Sequence, residues 1–154
     1  MLDVKYKKLH DTAIQPAYQT DGAAGADLHA DLFCDDQLNG STFSNNFDLL
    51  PGNSIVAITN IAMEIPPGYE GVIKSRSGFA FKYRVFAFEG TIDSDYRGSV
   101  NVLLYNLGCK TLKLAKGERI AQIVFKQVER ADLKKTMELS RTTRGNGGFG
   151  STGK

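Results

Sequence analysis

The sequence predicts an all-β domain, a barrel or a sandwich, on three observations. Short runs rich in β-branched residues recur, turns containing glycine or proline separate them, and no stretch carries a clean helical period. At 154 residues the chain is one domain's worth and long enough to bury a real core.

Taken in order, the elements are as follows. Residues 33 to 50 (FCDDQLNGSTFSNNFDLL) are rich in Asp, Asn and Ser and read as a surface loop or hairpin insertion. Asn53 to Ile65 (NSIVAITNIAMEI) is β-branched and bounded by Pro51-Gly52 and Pro66-Pro67-Gly68, so it reads as extended. Tyr69 to Lys74 is another extended run and stops at the polar Ser75-Arg76-Ser77-Gly78. Gly98 to Asn106 opens with polar–apolar alternation. Leu112 to Leu114 is short, Lys116-Gly117 turns, and Arg119 to Val128 is again strand-like. Glu129 to Ser140 alone has weak helical character, through Ala131, Leu133, Met137 and Leu139.

Composition excludes several classes. A net charge of +2 gives no global argument for a nucleic-acid or membrane partner, so any anion site is local. Cys34 and Cys109 have no paired spacing, and with two histidines there is no Cys/His metal cluster. No run approaches 18 apolar residues and the N-terminus lacks an apolar signal core, so a cytoplasmic location is expected.

Four polar islands interrupt the strands, and functional groups favour such strand ends. Ala24-Gly25-Ala26-Asp27-Leu28 reads as a turn or as a placed acid. Ser75-Arg76-Ser77-Gly78 offers a guanidinium, hydroxyls and open backbone, the makings of a phosphate cradle or of an ordinary turn. Between Gly90 and Gly98 stand two aspartates, a tyrosine and an arginine, and Ile92 beside Asp93 predicts a partly buried carboxylate. Gly117-Glu118-Arg119-Ile120-Ala121-Gln122 reads as a hairpin turn entering a strand. A fifth segment, Arg144 to Lys154, is glycine-rich yet keeps Phe149.

Together AGADL, SRSG, GTIDSDYRG, GERIAQ and RGNGGFGSTG resemble, in order and spacing, the five motifs of the homotrimeric dUTP pyrophosphatases (dUTPases). The likeness spans residues 24 to 153. It implies a distorted, jelly-roll-like antiparallel β-barrel over residues 1–143, with 33–50 as the surface insertion, and a flexible glycine-rich lid arm over 144–154. It also implies a homotrimer with three shared active sites, dUTP as substrate, Mg²⁺ as cofactor, and dUMP and pyrophosphate as products. No nucleic-acid or membrane partner is expected. Such an enzyme limits uracil incorporation into DNA and supplies dUMP for dTTP synthesis.

Carried over by motif, Arg76, Ser77 and Gly78 hold the phosphates with help from Gln122. Asp93 activates the attacking water and Tyr96 lies under the deoxyribose. The hairpin through Gly90, Thr91 and Ile92 presents backbone groups to uracil. Asp27 touches the magnesium hydration shell. Arg144 meets the γ-phosphate, and Phe149 covers the base with Gly150 beside it.

The chemistry of these residue types agrees. Triphosphate hydrolysis needs positioning and charge neutralisation more than covalent chemistry. A carboxylate acting on water is a sound general base, and His10 and His29, the other near-neutral groups, lie outside the islands. Phe88 and Glu89 depart from the small residues common before the glycine of the base pocket. Glu89 raises the alternative of a dCTP deaminase-like enzyme of the same superfamily. A non-catalytic nucleotide-binding regulatory trimer is the other alternative, and Asp93 argues against it.

Overall fold

The computed structural model describes residues 1–35 and 42–148. Thirteen strands and one short helix follow in chain order: β1 (Lys5–Lys8), β2 (Ala26–His29), β3 (Leu32–Asp35), β4 (Thr42–Ser44), β5 (Asn46–Leu49), β6 (Ser54–Ile58), β7 (Ile61–Glu64), β8 (Tyr69–Lys74), α1 (Ser77–Tyr83), β9 (Val85–Ala87), β10 (Thr91–Ile92), β11 (Asn101–Asn106), β12 (Leu112–Ala115) and β13 (Arg119–Gln127). Among the described residues every strand pairing is antiparallel. The strands form four ladders, β1-β7, β10-β8-β13-β2, β4-β3-β6-β11-β9 and β12-β5, and hydrogen bonds among the described residues do not close them into one barrel.

Alternation builds the core. In β6 Ile55 and Ala57 point inward, and in β11 Val102, Leu104 and Asn106 do so. With Leu28, Phe33, Leu49, Ile61, Ile73, Leu114, Ile120 and Ile123, the apolar ones among them form one cluster. Asn106 is wholly buried but fully used: its amide donates to Leu49 O and Lys110 O, and its carbonyl accepts from Gly108 N–H, each at 2.9 Å.

The extended run from Asn53 to Ile65 divides in two. At Asn60 the backbone is left-handed (φ 52°), a conformation asparagine tolerates better than most residues. Buried Thr59 secures the bend, donating to Val100 O at 2.7 Å and accepting from Ile61 N–H at 3.1 Å. The chain thereby leaves one ladder as β6 and joins another as β7.

Two expectations need correction. Glu129 to Ser140 is not helical; it runs out from the strands with Leu133, Met137 and Leu139 almost fully exposed. Its apolar residues lack a clean period, and no surface among the described residues covers them. Nor is the 33–50 segment only a surface loop. β3 and β4 do form a hairpin, but Phe33 and Leu49 are core residues and β5 pairs with β12.

A buried carboxylate ties the N-terminal segment to this core. Asp31 is 2% exposed and accepts from Thr12 Oγ1 (2.6 Å), Asn60 Nδ2 (2.7 Å) and Lys116 Nζ (2.7 Å), with His10 Nδ1 at 3.7 Å. Burial alone would raise its carboxyl, but the hydrogen bonds from Lys116, Thr12 and Asn60 and the Lys116 charge hold it below the usual 3.8. A lowered folded pKa means stability present in full above that value and lost as pH falls through the folded one. Asp31→Asn is expected to lose roughly 1–3 kcal/mol at neutral pH. In urea titrations its deficit should narrow below pH 3.8; an equal deficit at every pH would exclude the ion pair as its source.

Candidate active site

The site residues expected from the sequence fall into two groups within one chain. The first is a cationic pocket at the β2 edge of the β10-β8-β13-β2 sheet. Asp27 on β2 is 1% exposed, and its carboxylate gathers three side chains. Arg76 Nε lies 3.3 Å from Oδ1, Gln122 Nε2 donates to Oδ1 at 3.1 Å, and Arg119 Nη1 donates to Oδ2 at 3.1 Å. Arg76 Nη1 also donates to Arg119 O at 2.9 Å. Register explains the meeting: Gln122 on β13 stands opposite both Asp27 and Lys74, and Arg76 lies two residues beyond Lys74.

Arg76 is also the N-cap of α1, a helix absent from the sequence expectation because it is short and none of its residues is buried, although Phe79 packs partly against the core. Ser77 and Gly78 form its first turn, where backbone N–H groups lack helical partners. Open space surrounds Gly78. Ser75, one residue earlier, ties β8 to β9: its hydroxyl accepts from Ala87 N–H at 3.0 Å and lies 3.2 Å from Ala87 O.

A pocket of about 320 Å³ opens here, lined by His29, Arg76, Phe79, Gly117, Glu118 and Arg119. His29 therefore does belong to an island, through the fold rather than through a motif. Burial lowers its pKa, Asp27 opposes this, and the Arg119 and Arg76 charges lower it further, so it is neutral at pH 7. Arg119 is the member sequence reasoning did not single out. Its position beside Gln122 in GERIAQ was the available signal.

The second group lies at the opposite edge. β10 pairs with β8 on one side only, so Thr91 and Ile92 present an open strand edge, and Gly90 O accepts from Ile73 N–H at 3.0 Å. The chain then turns, Tyr96 N–H donating to Asp93 O at 3.1 Å. The Tyr96 ring folds back over Gly98 and its hydroxyl donates to Ser99 O at 3.1 Å. A Cβ at residue 98 would fall 2.4 Å from the Tyr96 hydroxyl oxygen, so this ring position requires glycine. Arg97 locks the turn through Ser94 O and Tyr96 O. Asp93 is exposed, where partial burial was expected: among the described residues of one chain nothing packs over it. Before Gly90, Phe88 is 61% exposed and Glu89 pairs with Lys74 at 2.5 Å. The Lys74 hydrogen bond holds the Glu89 carboxyl below its ordinary range.

These two groups are far apart. Asp93 continues β10 to the level of Glu70, whereas Asp27 lies at the level of Lys74 and three strands across. Ordinary strand rise and spacing place them roughly 19 Å from one another. Arg144 is exposed on the arm, where the hydrogen bonds of residues 129–148 are all local. Phe149 and Gly150 lie outside the described residues.

Among the described residues no three His, Cys, Asp or Glu side chains gather to hold a metal. Asp27 is a lone carboxylate with both oxygens already in hydrogen bonds. This donor set does not build a protein cage for Mg²⁺. Among the described residues no helix is long and apolar enough to cross a membrane.

Comparison with known proteins gives one answer. The dUTPase family profile matches residues 42–153. A deoxyuridine 5'-triphosphate nucleotidohydrolase of an Anaeromyxobacter species is 45% identical over 141 residues, covering 90% of this chain and 87% of that one. Its counterpart in Nautilia profundicola is 44% identical, covering 99% of this chain and 100% of its own. Among solved structures, the dUTPase of Staphylococcus bacteriophage 80alpha with dUpNHpp superposes with a TM-score of 0.79 at 28% identity, covering 98% of each chain. The antiparallel β fold, the five motifs in order and these relatives agree: this chain belongs to the dUTPase family and is an enzyme of that family.

Proposed function

We propose that the chain hydrolyses dUTP to dUMP and pyrophosphate, by attack of water on the α-phosphate, in a homotrimer whose sites each draw on more than one chain. The observation that carries this reading is the separation of roughly 19 Å between Asp93 and Asp27, estimated from strand geometry, within a single chain. A general base must lie within hydrogen-bond reach of its proton, directly or through one water. Asp93 therefore works beside the Arg76 pocket of a neighbouring copy.

In the assembled site Arg76, Gln122 and the first-turn N–H groups of Ser77 and Gly78 receive the phosphates. The free edge of β10, with Gly90, Thr91 and Ile92, offers backbone donors and acceptors to uracil. Tyr96 underlies the deoxyribose, held flat by Gly98 and Ser99, and crowds a 2′-hydroxyl. Asp93 takes the proton of the attacking water. Arg144 and Phe149, with Gly150, close the site from the arm. Mg²⁺, which would arrive with the nucleotide, would neutralise phosphate charge. The present residues provide no cage for it, and Asp27 reaches it through water at most. The reaction removes dUTP before it enters DNA and supplies dUMP for dTTP synthesis. A deaminase role for Glu89 is disfavoured because its carboxylate is engaged by Lys74.

Pyrophosphate release from dUTP, dCTP, dTTP and UTP, with and without Mg²⁺, tests the reaction, and dUTP should be strongly preferred. Co-expression of Arg76→Ala and Asp93→Asn chains tests the shared site. Mixed assemblies should recover activity that neither parent has, whereas mixtures as inactive as both parents would exclude it. Gly98→Ala should displace the Tyr96 ring and lower the ratio of dUTP to UTP kcat/KM by roughly tenfold, the scale of one lost steric contact in a pocket. An unchanged ratio would remove Tyr96 from sugar selection.

A further inference from the structure

We infer that the β3–β4 hairpin is an assembly element: it adds Phe43 to an uncharged face of the five-stranded sheet, and that face docks on a second copy of this chain. The inference deepens the reading above that the site is shared between copies.

Register builds the face. In an antiparallel pair, directly opposite residues point to the same side. Cys34 stands opposite both Phe43 and Val56, and Val56 stands opposite Leu103. Phe88 N–H donates to Leu103 O at 2.8 Å, which carries the row just past the end of β9. One row, Phe43-Cys34-Val56-Leu103-Phe88, therefore crosses the whole sheet, and the rings at its two ends are 60% and 61% exposed. Leu32, Ile58 and Asn101 form the row on one side of it, and Ser54, Tyr105 and Phe86 the row on the other. Their neighbours along the strands, Phe33, Ile55, Ala57, Val102 and Leu104, are buried, so the three rows lie on the face away from the core.

Among the described residues no charged side chain stands in these rows, whereas a solvated sheet face is ordinarily polar and charged. The other sheet shows the contrast: there Lys74 pairs with Glu89 and stands opposite Gln122, and Glu70 stands opposite Lys126. With strands about 4.8 Å apart and rows about 6.8 Å apart, the face covers roughly 500 Å². That is large for an apolar patch on a monomer and more than half of the roughly 800 Å² each partner gives to a standard interface. Permanent contacts between copies of one chain are the class with the most apolar, charge-poor cores, so a second copy is the occupant. The row also ends at Phe88, two residues before Gly90, where the hairpin proposed to meet the neighbour's Arg76 pocket begins. Both contacts are then parts of one continuous surface. The segment read from the sequence as a surface insertion thereby widens the sheet by one strand, β4, and brings one more ring to its face.

Sedimentation of the full-length protein over a dilution series tests this. Phe43→Asp should raise the concentration at which half the chains are assembled by about tenfold or more, the scale of a lost interface hot spot. Phe43→Leu should assemble as the wild type does. Phe81→Asp, at a ring 81% exposed on α1 and off this face, should leave the midpoint unchanged. Thermal melts check each fold, and Phe43→Ser takes the place of the aspartate variant should that one not fold. Thiol labelling reads the face directly: in a Cys109→Ser protein Cys34 is the single thiol, and its reaction with a maleimide should slow as the chains assemble. An assembling protein whose folded Phe43→Asp or Phe43→Ser variant keeps the wild-type midpoint would overturn this inference alone. So would an equal effect of Phe81→Asp, or a Cys34 rate indifferent to assembly, and the face would then belong to another partner. A wild-type protein that stays monomeric at every concentration would overturn the shared-site reading and this inference with it.

Discussion

Asp93→Asn is expected to keep nucleotide binding while turnover falls by about 10²-fold or more, the contribution of a general base. The substitution preserves shape and removes only the capacity to take a proton. Asp93 enters none of the side-chain hydrogen bonds that hold its turn; those come from Tyr96, from Arg97 and from backbone groups. Folding should therefore be indifferent to the change, and a thermal melt serves as the control. Pyrophosphate release measured beside binding of a non-hydrolysed dUTP analogue separates chemistry from affinity. A variant with half the wild-type turnover would sink the assignment.

The second large effect concerns the arm. Ending the chain at Thr143 should leave the strands and their assembly intact and remove most of the activity. Residues 129–148 carry no strand or helix, and their hydrogen bonds are local, so the ladders do not depend on them. Ordering each backbone residue costs roughly 1–2 kcal/mol, and glycine costs more. Five of the ten residues from Gly145 to Lys154 are glycine, so this segment needs partners in order to settle. On the proposed function, bound nucleotide would supply them: phosphate for Arg144 and a base for Phe149, where stacking contributes about 1–3 kcal/mol. Closure of the arm would then exclude water from the reacting phosphate, as lids do. Light scattering and pyrophosphate release on the truncated protein check both halves of the expectation. Full activity would assign the arm to solvent.

Much of this was open to reading in the chain itself. β8 matches its expected limits because Tyr69 to Lys74 is bounded by Pro66-Pro67-Gly68 and by the polar island that follows. β12 and β13 were visible for the same reason, a short apolar run on either side of Lys116-Gly117. β2 was not, because a strand containing Asp27 breaks the apolar pattern until the two arginines that neutralise it are known. α1 was hidden by its shortness and by having no buried residue. The motif order identified the family because those stretches are local in sequence, and local chemistry survives without coordinates.

Position across the sheet is not local. That Asp27 is a buried junction for Arg76, Arg119 and Gln122 follows from residues 49, 92 and 95 positions away being brought opposite it by antiparallel register. The sequence by itself determined an all-β domain, its principal turns and the five islands by which the family is known. The tertiary structure alone decided that Asp93 and the arginine pocket stand at opposite edges of one sheet. Strand order and register set that distance, and neither is written in the periodicity of any single strand.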